Sequence, residues 1–88
     1  LLVNDASTDE TGDICRRFLD SRIRLIDGSE QRGLAVRLNQ AVDSARGKYI
    51  ARMDADDIAF PERFARQVNY LESHPLVDLV GHGAVLFK

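Results

Sequence analysis

The sequence predicts an α/β fold in which strands alternate with helices around a mainly parallel sheet. Three observations predict it. Short apolar, β-branched runs alternate with stretches whose apolar residues recur at i, i+4. The connections between them are short. Acidic residues fall directly after strand-like runs, at Asp5 and at Asp54, Asp56 and Asp57, and the carboxyl ends of strands are where open α/β sheets bind ligands.

Taken in order, Leu1-Leu2-Val3 reads as the end of a buried strand and Asn4-Asp5-Ala6-Ser7 as a turn. Ser7 and Glu10 have the S-x-x-E spacing of a capping box, which predicts a helix start there. Ile14, Cys15, Phe18 and Leu19 give that helix one apolar face, with Cys15 in the core. Ile23 to Ile26 is the next strand, broken by Asp27-Gly28-Ser29-Glu30. Leu34, Leu38, Ala41, Val42 and Ala45 fall at helical spacing, with Gly47 as the residue that ends the helix. Lys48 to Met53 is a third strand that delivers Asp54-Ala55-Asp56-Asp57. Pro61 suits a first helical turn, Phe64, Val68 and Leu71 mark the helix, and Pro75 stops it. Leu76 to Phe87 carries one or two last strands, interrupted by Gly81 and Gly83. The order is β-α-β-α-β-α-β.

Composition narrows the function. The 88 residues suffice for one small domain with a modest core. With 12 basic and 14 acidic residues the net charge is −2, which argues against a nucleic-acid partner. A hydrophobic content of 44% with 30% charged residues is too apolar for disorder. No apolar run reaches the roughly 20 residues of a transmembrane segment. The single cysteine, Cys15, excludes an intrachain disulfide framework and fits a reducing compartment. No signal peptide precedes the first motif. The chain opens and closes in strand-like runs, so residues 1–88 are expected to form a single partial domain, an internal piece of a longer protein.

The acidic clusters are the candidate site. Three carboxylates in Asp54-Ala55-Asp56-Asp57 repel one another unless a cation or donors offset them. Mg²⁺ does this with one or two carboxylates, completing its shell with water and substrate phosphates. The bland alternative is a solvated acidic loop. An EF-hand is excluded, because counting from Asp54 puts Ala59 and Ala65 where its Gly and Glu are needed. Asp5 precedes the helix cap, so its carboxylate is expected to be free to accept a ligand N–H such as a base imide; the alternative is a turn Asp bonding its own backbone. Gly33 allows close backbone approach at a helix start, and Arg32 or Arg37 could meet a phosphate, although Arg37 reads more simply as part of a solvated face. His74 suits a helix C-terminus.

With these residues laid out, the chain resembles the nucleotide-sugar-binding part of family-2 glycosyltransferases of the GT-A fold, over essentially its whole length. Four ordered blocks carry the resemblance: Val3 to Thr11; Gly33-Leu34 with Leu38-Asn39; Gly47 to Asp57 with its D-x-D; and Pro61 to Pro75 followed by Val77 to Gly81. The resemblance implies a partial GT-A, Rossmann-like fold and transfer of a sugar from a nucleoside-diphosphate sugar, with a UDP-sugar expected, to an unidentified acceptor hydroxyl, with inversion. It also implies a part in cell-surface polysaccharide synthesis at the cytoplasmic face of a membrane.

The resemblance assigns roles to matched positions. Asp5 would contact the donor base, and Gly33 would lie against the donor. Asp54 would lie near the ribose or the metal's water shell, and Asp56, with Asp54, would bind Mg²⁺ or Mn²⁺. Two positions depart from the family pattern: Gln31 replaces a frequent Asn, and Leu38 stands where some members carry Arg. Nothing in the chain matches the family's general base, so no catalytic residue is assigned. The family's first strand, between those ending at Val3 and Met53, has no counterpart here, and the isolated chain is therefore expected to be inactive and to self-associate. Two rival readings are a nucleotidyltransferase of similar architecture and a non-catalytic nucleotide-binding module.

Overall fold

A computed structural model of the chain describes residues 1–18 and 20–87; the expectations for Leu19 and Lys88 lie outside the described residues. The chain divides into two compact units, Leu1–Ile50 and Ala51–Lys88.

The first unit runs β1 (Leu2–Asn4), α1 (Thr11–Arg16), β2 (Leu25–Asp27) and α2 (Leu34–Ser44). β1 and β2 pair in parallel, with Leu2 opposite Leu25, Val3 opposite Ile26 and Asn4 opposite Asp27. Parallel neighbours need a crossover connection, and α1 supplies it, packing against both strands. The predicted α/β class with a parallel ladder is realised here. β2 begins two residues later than predicted. The Ile23 N–H donates to the Asp20 carbonyl at 2.9 Å, and Arg22 folds back onto the Asp20 carboxylate, so this stretch is a turn.

The capping box does not form. The Ser7 N–H and hydroxyl both donate to Asn4 Oδ1, closing the turn after β1. α1 instead starts at Thr11, whose N–H donates to Asp9 Oδ1 at 3.0 Å. Cys15 is half-buried, while Ile14 and Phe18 remain exposed. α2 matches its predicted span closely, but Gly47 does not end it. The helix closes at Ala45 in an extended conformation, and Arg24 donates to the carbonyl of Ser44 at 2.7 Å, supplying a cation where the helix dipole is negative.

The second unit holds α3 (Arg63–Ser73). The capping residue after it, His74, donates at Nδ1 to the Tyr70 carbonyl at 2.8 Å and stacks on the Tyr70 ring at 4.1 Å, a helix-end role as predicted. The strands predicted at Lys48–Met53 and Leu76–Phe87 are absent among the described residues, whose one sheet is the β1–β2 pair. A strand exists only through its ladder, and neither segment has a strand partner there, so the β-propensity of Tyr49-Ile50 and Val85-Leu86-Phe87 is not realised.

Among the described residues no apolar side chain is fully buried. The buried polar ones are Asn4, 5% exposed, and Arg37, 6% exposed. Polar bonding therefore carries much of the first unit's order. Asn4 Nδ2 donates to Asp27 Oδ1 at 2.8 Å across the ladder, and Asp27 Oδ2 accepts from Arg16 of α1.

Candidate functional site

The carboxyl end of β1 leads directly into Asp5. Ala6, with φ of 54°, takes the left-handed conformation that turns the chain there. Asp5 is not free, contrary to the expectation from its turn position. Oδ1 accepts the Arg32 N–H at 2.9 Å and Arg37 Nε–H at 2.7 Å, and Oδ2 accepts the Gly33 N–H at 2.9 Å. These donors hold its carboxyl below the ordinary value of 3.8: the Arg32 N–H most, then the Arg37 side chain, with Gly33 contributing and partial desolvation opposing. A carboxylate has about four acceptor directions. Oδ1 has used both of its own, so one remains, on Oδ2.

Gly33 makes this arrangement possible. Its φ of 86° and ψ of 163° belong to a region essentially restricted to glycine. That backbone points its N–H at Asp5 while its carbonyl accepts the Arg37 N–H at 3.2 Å and opens α2. The structure thus brings together two residues singled out from the sequence, Asp5 and Gly33, through a direct hydrogen bond.

Arg37 was misplaced by sequence reasoning, which put it on a solvated face. It is buried. Its guanidinium joins Asp5 to Gln40 Oε1 at 2.9 Å and to the Glu30 carbonyl at 2.6 Å. A signal was present: Arg37 lies three residues after Leu34 and four before Ala41, within the apolar stripe of α2.

The D-x-D lies in the second unit, on a turn closed by the Asp57 N–H donating to the Asp54 carbonyl at 3.2 Å. Asp54 and Asp56 share that turn but differ in company. Asp54 Oδ1 pairs with Arg52, at 3.2 Å from Nε and 3.1 Å from the terminal nitrogen. The Asp56 and Asp57 carboxylates have no hydrogen-bond or ion-pair partner among the described residues. Arg63 of α3 braces the segment by donating to the Arg52 carbonyl at 2.8 Å. An open cavity of about 850 Å³ lies in this unit, bordered by Asp54, Asp57, Arg52 and Arg63 among polar residues and by Met53, Ile58 and Phe60 among apolar ones. That volume is within the range of small-molecule sites.

Among the described residues, no three His, Cys, Asp or Glu side chains converge to hold a metal. A closed protein cage is therefore absent there. An unpaired Asp56 next to Asp54 fits the other kind of site, an Mg²⁺-type shell that relies on one or two carboxylates and on substrate phosphates.

No solved structure matches the chain significantly. Sequence relatives do. The "Putative glycosyltransferase EpsE" of Bacillus subtilis (strain 168) is 41% identical over 99% of this chain and 32% of its own length. The bifunctional glycosyltransferase pgtA of Dictyostelium discoideum is 39% identical over 100% of this chain and 12% of its own. In Escherichia coli, the UDP-Glc:alpha-D-GlcNAc-diphosphoundecaprenol beta-1,3-glucosyltransferase WfaP is 36% identical over 83% of this chain and 29% of its own. The chain thus spans a third or less of the length of these relatives. The model of glycosyl transferase family 2 matches residues 1–85, taking in the β1 turn with Asp5, the Gly33 helix start and the D-x-D turn alike, and the chain belongs to that family.

Proposed function

We propose that residues 1–88 are the donor-binding part of a glycosyltransferase catalytic domain that transfers a sugar from a UDP-sugar to an acceptor hydroxyl, with inversion, in cell-surface polysaccharide synthesis. The observation that carries this reading is Asp5: a carboxylate at a strand's carboxyl end, held by three N–H donors and left with one acceptor direction. A single directed acceptor suits the imide N–H of a base. The name of WfaP, a UDP-glucose-dependent transferase acting on a diphosphoundecaprenol-linked sugar, supports a UDP donor, and we place the work at the cytoplasmic face of a membrane. No helix among the described residues is long and apolar enough to cross one.

In this reading Asp5 orients the base through Oδ2, and Gly33, lacking a side chain, leaves room for the donor beside it; nothing lies within 4 Å of where its Cβ would stand. Asp56, with Asp54, would hold Mg²⁺ or Mn²⁺, and such an ion supplies charge neutralisation to a departing nucleoside diphosphate. Arg52 keeps the Asp54 carboxylate compensated until the donor arrives.

Calorimetric titration of the complete protein with UDP, GDP and CDP, with and without Mn²⁺, tests the proposal. UDP is expected to bind best, and Mn²⁺ to strengthen it. Failure of all three nucleotides to bind would reject it. The 88-residue chain alone is expected to transfer no sugar and to self-associate, because it buries no apolar side chain fully among the described residues and each of its two strands has an open edge. Light scattering after size exclusion measures this, and a monomer at micromolar concentrations would contradict it.

A further inference from the structure

We propose that Arg37 is a positioning residue for nucleotide recognition, fixing the orientation in which Asp5 meets the base; this rests on the donor-binding reading above. Arg37 is itself buried and reaches the candidate site through Asp5. Its guanidinium is a planar fork with three nitrogens spoken for: Nε by Asp5, one terminal nitrogen by Gln40 and the other by the Glu30 carbonyl. A fork held on three sides cannot turn without giving up hydrogen bonds. Its hold on Asp5 Oδ1 saturates that oxygen together with the Arg32 N–H, and so directs any incoming donor to Oδ2.

Gly28 secures the fork from below. A Cβ at Gly28 would lie 1.9 Å from one terminal nitrogen of Arg37 and 2.5 Å from Cζ. No side chain fits at position 28 while Arg37 stays where it is. Two substitutions therefore displace the same group by independent routes. Arg37→Lys keeps the positive charge and loses the fork, and Gly28→Ala keeps Arg37 and pushes it off its seat.

The test measures binding of UDP and of inorganic pyrophosphate to the complete protein in Mn²⁺, with thermal melting alongside. If Arg37 acts by orienting Asp5, both variants lose roughly tenfold in UDP affinity, the scale of one charged hydrogen bond. Pyrophosphate affinity, which does not involve the base, stays within about twofold. The double variant Asp5→Asn/Arg37→Lys binds UDP no more weakly than Asp5→Asn alone, because the two act in series. Unchanged UDP affinity, additive losses in the double variant, or an equal loss for pyrophosphate each overturn the proposal, the last by showing that Arg37 only supports the fold. If the unsubstituted protein binds pyrophosphate but not UDP, the base-reading role of Asp5 fails first and the role of Arg37 with it.

Discussion

The two units treat their carboxylates in opposite ways. In Leu1–Ile50, Asp5, Asp9, Asp20 and Asp27 each accept hydrogen bonds from named donors, and three of the four are held below their ordinary ionisation range. In Ala51–Lys88, among the described residues, the Asp56 and Asp57 carboxylates accept none, and that of Asp54 has only the exposed Arg52. The contrast separates two kinds of recognition. A carboxylate whose lone pairs are mostly filled can offer a partner one direction, which suits a base edge. A carboxylate with empty lone pairs next to another negative charge offers charge without direction, which suits a cation.

The sharpest way to break this contrast is Asp56→Asn, which keeps size and removes charge. It is expected to abolish the metal-dependent gain in UDP affinity, roughly a hundredfold effect at the scale of a lost charged ligand. Titrations with and without Mn²⁺ read it directly, and a gain that survives would remove Asp56 from the metal site. Next comes Gly33→Ala. Space is open around that position, so the whole cost is backbone strain, about 1–3 kcal/mol by chemical denaturation; a stability equal to the parent's would mean that the positive φ is not required.

Asp5→Asn sharpens the comparison from the other side. It is expected to weaken UDP roughly tenfold with or without Mn²⁺, and a loss seen only with metal would make Asp5 a metal group. The same substitution has a pH signature. Because the folded carboxyl ionises below 3.8, its stabilising contribution is complete above that value and is lost as pH falls through the lower folded one. Acid unfolding of Asp5→Asn should therefore be less steep below that pH, with Asp9 and Asp20 supplying what steepness remains. The smallest effect is expected for Arg24→Ala, which removes the cation from the carbonyl end of α2 and should cost about 0.5 kcal/mol, measurable as a small drop in melting temperature.

Much of this was legible in the sequence, and what was not has physical causes. The bounds of α2 followed from apolar periodicity, because its register is set within the helix itself. Asp5 and Gly33 could be named because turn and helix-start residues have local signatures. That they bond each other could not be read, since the bond joins residues 28 apart. Ser7 misled because a Ser before a turn can bond backward as well as cap forward, and here its N–H and hydroxyl both donate back to Asn4 Oδ1. Arg37 misled because a charged residue on a helix is usually solvated, and only the partners brought in by Asp5 and Glu30 make its burial tolerable. The strands at Lys48–Met53 and Leu76–Phe87 were read from propensity, which describes a surface suited to pairing and not the presence of a neighbour.

The span of the Asp5 bonds also bears on how the chain acquires its shape. Asp5 finds its partners 27, 28 and 32 residues downstream. Closing loops of that size carries a length-dependent entropy of about 3 kcal/mol before any bond is returned. β1 finds its ladder partner in β2, ahead of α2, but the donors to Asp5 come only with the start of α2. Local contacts, the Asn4–Ser7 turn and the helices α1 and α2 among them, can form before these long-range bonds. Asp5 is then among the last groups to be set, and a nascent chain halted before residue 32 would hold it in solution, as an ordinary aspartate.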